Sequence, residues 1–148
     1  MFLQFTYDVT KNPLNNNEWA FPLLEIIHIA AFTLSIGTIA IVDFGLIGWG
    51  KHDAAKTLKE TSTLTLIGLV IMLISGPLIF TSDPNMYLRN SSFVFKMWAL
   101  LIAIIYNYTI HRKVVLSGAT PGVNKAVGLI SLALWISVVF GGLFIAFV

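Results

Sequence analysis

Four ionisable side chains, Glu25, His28, Asp43 and Lys96, stand in stretches otherwise almost free of charge, with Asn107 and His111 a few turns beyond Lys96. A charge at the centre of a bilayer costs on the order of 2.5–3.5 kcal/mol on insertion scales, so such residues are paired, turned to protein or water, or used. An acid, a base and an ammonium group can carry protons, hold a polar ligand or lock helices together. At 100° per residue, Glu25 and Asp43 point the same way, and His28, Phe32, Ser35 and Ile39 lie within about 80° of that direction. Lys96, Ala103 and Asn107 share a second line to within about 20°, with His111 about 60° away. Ala103 on that line would let another helix approach closely.

The elements that position these residues follow from composition. The chain has 148 residues, 57% hydrophobic and 11% charged, with a mean hydropathy of +0.85. That is more apolar surface than a soluble domain of this size buries, which excludes a water-soluble enzyme of the usual kind. The fold class is all-α, a polytopic four-helix transmembrane bundle. Four apolar segments run over about 19–49, 61–81, 93–110 and 123–148, after a polar tail at 1–18. The first exceeds a roughly 30 Å hydrocarbon core and must tilt or project. There is no cysteine, hence no disulfide or thiolate chemistry. G-x-S-x-G, P-loop and H-E-x-x-H motifs are missing, so no catalytic residue and no metal site is assigned. No basic tract suggests nucleic acid.

Of nine Lys and Arg residues, Lys51, Lys56, Lys59, Arg112, Lys113 and Lys125 fall in the first and third connections, against Lys11, Arg89 and Lys96 elsewhere. The positive-inside rule then places both termini outside. The first and third segments run parallel, so their registers can be compared. His28 to Lys96 and Asp43 to His111 are both 68 residues apart. Two parallel neighbouring helices of equal rise would bring both pairs level. The expectation is two polar layers. In the outer one Lys96 reaches Glu25 beside His28, near Ser75 and the helix-opening Gly76-Pro77. In the inner one Asp43 meets His111 or Asn107. Phe32, Ile36 and Ile39 between them argue against a continuous proton wire.

Plainer readings stand beside these: Glu25 and Lys96 as a register-fixing ion pair, His28 as a hydrogen-bonded interior histidine, and Asp43–His111 as a tie between helix ends. His52 in its Lys-rich loop reads as solvated, and Trp19, Trp49 and Tyr87 as interfacial anchors.

Phe21-Pro22-x-x-Glu25-x-x-His28, Asp43-x-x-Leu46-x-Gly48, Gly76-x-x-x-Phe80 and Tyr87-x-x-Asn90-x-x-Phe93-x-x-Lys96, with Asn107, Trp135 and Gly142, occur in one order along the chain. Together they resemble an uncharacterised family of small bacterial four-helix integral membrane proteins. The resemblance implies the bacterial cytoplasmic (inner) membrane and recurrent polar positions at Glu25, His28, Asp43 and Lys96. It implies no activity. Gly45 and Leu143 depart from it, standing where arginines are expected.

Three functional readings compete. The first is a membrane binding or accessory subunit whose outer site, Glu25, His28, Lys96 and Ser75, receives a small polar ligand, lipid headgroup or partner. The second is a b-type haem electron-transfer protein using His28. His28 and His111 differ in depth by roughly 20 Å and cannot ligate one haem within a chain. The third is proton-coupled transport or conduction, for which four helices provide little pore without a homo-oligomer or larger membrane complex.

Overall fold

A computed structural model describes residues 6–147. Among them there is no strand, and four helices are long and apolar enough to cross a membrane. Helix α1 spans Ala20–Ile47, α2 Ala54–Phe80, α3 the short stretch Pro84–Arg89, α4 Ser91–Ser117 and α5 Pro121–Phe144, with a 3-10 turn at Ile145–Phe147.

Helix ends follow local chemistry. Asp53 caps α2 by accepting the Ala55 N–H at 2.9 Å, and Asn90 caps α4 by accepting from Phe93 at 3.0 Å. Pro84 and Pro121 open α3 and α5, where no N–H is needed. Gly48, at φ 86°, closes α1 in the left-handed conformation. The second segment therefore begins at 54 rather than 61, and the third runs past 110 to Ser117. In both, a charged turn continues the helix beyond the apolar run. Of the polar tail, residues 1–5 lie outside the described residues. The rest is pinned rather than loose: Asn12 donates to the Thr81 carbonyl at 2.7 Å and Asn15 to that of Ser82 at 2.9 Å.

Helix α1 packs along α2 and α5, and α4 along α5, while α2 and α4 meet chiefly near their ends at the Lys- and Arg-rich loops. Glycines allow these approaches. A Cβ at Gly68 would collide with Ser35 Oγ and lie 2.6 Å from the Ala31 carbonyl, one at Gly128 would lie 3.1 Å from the Asp43 carbonyl, and one at Gly141 2.9 Å from Lys96 Cβ. The expected side-by-side pairing of the first and third spans is therefore corrected. Helices α1 and α4 face each other diagonally, and α5 supplies the neighbour that helical periodicity cannot name. Ile39, Leu69, Met72, Ala99, Leu100, Ala103, Trp135 and Val138 fill the middle of the bundle. Val42, Leu46, Leu58, Val115 and Val127 form a second cluster toward the basic loops. Outward-facing Ile26, Ile74, Leu101 and Phe140 are exposed, as lipid contact requires.

Candidate functional site: two polar layers

At the end of the bundle opposite the basic loops, α1 and α2 bring His28 Nδ1 within 2.7 Å of Ser75 Oγ. The Ser75 hydroxyl hydrogen is committed to the Ile71 carbonyl at 2.7 Å, in the turn before Pro77. Ser75 can then only accept from His28, which places the imidazole proton on Nδ1 and leaves a lone pair on Nε2. Gly76 makes room for the ring, whose Cε1 lies 3.4 Å from where a Cβ would stand.

Lys96 enters from α4. Its ammonium lies 5.5 Å from the centre of the Phe32 ring, a cation–π distance. Its stem crosses Gly141 and Gly142, and its charge is felt at His28. The expected ion pair with Glu25 does not form: among the described residues no carboxylate lies within ion-pairing distance of Lys96. Glu25 is exposed and sits instead within electrostatic reach of Tyr87. Glu25 lies about 60° round α1 from His28 and about one turn nearer the helix start, where it is exposed while His28 meets α2. Tyr87 is a second correction. It is buried, not an interfacial anchor, and packs at a tilt against Phe80 and Phe93, with centroids 6.1 and 5.2 Å away. Burial pushes its phenol up, the Ser82 hydrogen bond opposes this, and the negative charges of Glu25 and Asp83 add to the rise.

The inner layer forms as the 68-residue register predicts. His111 Nε2 lies 2.6 Å from Asp43 Oδ1, and both side chains are sealed, at 1% and 0% exposure. Because α4 is diagonal to α1, the contact crosses the bundle interior. His111 ends a π-helical turn, Asn107–His111, whose extra residue shortens α4 relative to α1 by about one helical rise, ~1.5 Å. Side-chain reach absorbs that difference. Asn107 is buried here too but does not bond Asp43, and Ser131 on α5 approaches the carboxylate without completing a hydrogen bond.

Sequence reasoning missed the hydroxyls beside this pair. Thr38 and Thr65 are 2.7 Å apart between α1 and α2, and Ser35 donates to the Thr65 carbonyl at 3.1 Å. Thr61, Thr65, Gly68, Met72 and Ser75 recur every three or four residues, the available signal for that face. His52 is exposed but not simply solvated: its Nε2 lies 2.8 Å from the Ile41 carbonyl, over Gly45. The imidazole thus occupies space that an arginine at 45 would claim. About 22 Å of α1 separates His28 from Asp43, and with it from His111, so no single haem can take both histidines. Compared with known proteins, the chain matches no family model, no curated protein and no solved structure.

Proposed function

We propose that this protein is an integral membrane binding subunit whose outer polar site, His28, Ser75 and Lys96, holds the anionic oxygens of a small ligand or lipid headgroup. One observation carries the reading: the Lys96 ammonium has no carboxylate partner among the described residues, yet it is held against Phe32 beside His28. An uncompensated cation at this depth is costly unless something of opposite charge visits it. Lys96 would bind the anion, and His28 Nε2 would accept a hydrogen bond from a hydroxyl on the same group. Glu25, exposed, stays outside the site. The reading includes a bacterial cytoplasmic membrane and both termini outside, supported by the family resemblance and by the loop charges.

Thermal unfolding of the detergent-solubilised chain tests it, with phosphatidylglycerol in mixed micelles as one arm and inorganic phosphate as the other. Stabilisation by the lipid alone assigns a headgroup, and stabilisation by both assigns a free anion. Either must disappear in Lys96→Met. Stabilisation by neither, or its survival in Lys96→Met, overturns the reading. Cysteines at Asn16 and Lys56 should label from opposite sides with an impermeant maleimide. Labelling from one side would sink the topology.

A further inference from the structure

At the basic end of the bundle the chain leaves α1 through Gly48-Trp49-Gly50, and both glycines take a positive φ, 86° and 113°. The turn brings His52 back onto the side of α1 where Ile41 is exposed. The His52 Nε2 lies 2.8 Å from the Ile41 carbonyl, which can only accept, so that nitrogen carries hydrogen. Glycines make room for the ring: a Cβ at Gly45 would lie 3.1 Å from its Cδ2, and one at Gly50 2.9 Å from its Nδ1. Trp49 in turn meets Phe44 edge-on, with centroids 4.9 Å apart. Ile41, Phe44, Trp49, Gly50 and His52 together line an open groove of about 390 Å³. Small-molecule sites are of this size, on the order of 300–1,000 Å³.

The wall of this groove is almost wholly apolar, and its surroundings are basic. Ile41 stands about 9 Å inside the end of α1 at Ile47, while exposed Trp49 marks the membrane boundary. The groove therefore runs from the interface into the hydrocarbon. Lys51 stands between two of the lining residues, is exposed, and has no carboxylate within ion-pairing distance among the described residues. The nearest acid in the sequence, Asp53, is turned to α2, where it accepts the Ala55 N–H at 2.9 Å. A plain hydrocarbon would leave the lysine unused, and a soluble anion would leave the apolar wall unused. We propose that the groove holds one anionic phospholipid of the leaflet at the basic end, its acyl chain along Ile41, Phe44 and Trp49 and its phosphate at Lys51. Lys56, Lys59, Arg112 and Lys113 draw such lipids toward this end in general, and the groove retains one of them. The site lies at the opposite end of the bundle from His28 and Lys96 and does not rest on the reading of that pair.

Trp49 is a reporter built into the groove. Trp19→Phe/Trp98→Phe removes the other exposed tryptophans and leaves Trp49 with Trp135, which is 2% exposed and out of contact with lipid. The full chain carrying both changes is reconstituted in phosphatidylcholine vesicles. These hold a minor fraction of either phosphatidylglycerol or phosphatidylcholine brominated on its acyl chains, and quenching of tryptophan fluorescence is read. Brominated phosphatidylglycerol should act at Trp49 as though about fivefold more concentrated than brominated phosphatidylcholine, the effect of one lysine near a charged headgroup. Lys51→Gln should bring the two lipids to parity. Lys113→Gln, exposed on α4 and away from the groove lining, should keep most of the preference. Equal quenching by the two lipids overturns the proposal, as does a preference that survives Lys51→Gln. A preference that falls equally in Lys113→Gln would mean diffuse attraction to the basic loops and would overturn it too. Binding at the outer site does not register at Trp49, so the two readings fail separately.

Discussion

The two polar layers use similar residues to opposite ends. In the inner layer a carboxyl group and an imidazole are sealed against each other at 2.6 Å, so each has a polar partner within the fold. In the outer layer an imidazole is satisfied by a hydroxyl while a nearby ammonium faces an aromatic ring and, among the described residues, no carboxylate. Removing a member of the inner pair strands a partner. Removing Lys96 strands no carboxylate among the described residues. A polar pair whose members satisfy each other serves the stability of the fold, whereas under the proposed function the half-buried ammonium serves what the molecule binds.

The sharpest way to break this contrast is at the inner pair. His111→Leu leaves the Asp43 carboxylate alone in the bundle and should destabilise the protein by about 3–5 kcal/mol, read by thermal unfolding in detergent. The double variant Asp43→Leu/His111→Leu should recover much of that loss. A single-variant loss below about 1 kcal/mol would mean the pair is not a sealed unit.

Next in size is the contact that seats both layers on α2. Gly68→Ala pushes a methyl into Ser35 Oγ and the Ala31 carbonyl and should cost about 1–3 kcal/mol, whereas Gly37→Ala, with nothing within 4 Å, should cost nothing. Equal effects would show that α1 and α2 are not as close as described. Ser75→Ala, which removes one of two acceptors near the His28 ring and leaves the Met72 carbonyl, should cost about 1 kcal/mol.

The smallest expected effect is the most diagnostic for the outer layer. In a double-mutant cycle of Glu25→Gln and Lys96→Met without added ligand, the coupling should stay below about 0.5 kcal/mol, because the two side chains do not meet. A coupling of 2 kcal/mol or more would restore the ion pair and undo the distinction between the layers.

The spans were legible because four runs of apolar residues leave no other solution in 148 residues. Their ends were not, since Lys56, Lys59 and Glu60 are good helix formers that lower hydropathy without ending the helix. Asp43 and His111 could be matched from register alone, because equal offsets survive whether two parallel helices are adjacent or diagonal. Glu25 and Lys96 could not, because reach depends on which helix stands between, and periodicity gives directions within a helix, not the order of helices around a bundle. Thr38 and Thr65 escaped notice because helical hydroxyls routinely bond carbonyls of their own preceding turn, and both have such a carbonyl within reach here.

The π turn at Asn107–His111 also bears on how such a chain can change over generations. A helix that carries one extra residue at this point has two phases, one set before it and one after. The turn absorbs one inserted residue: losing it would restore ordinary winding and leave the faces downstream in the phase they have now, His111 included. Lys96, upstream, would not move. A change of one codon in length can thus be taken up at this point without turning either layer away from its partners.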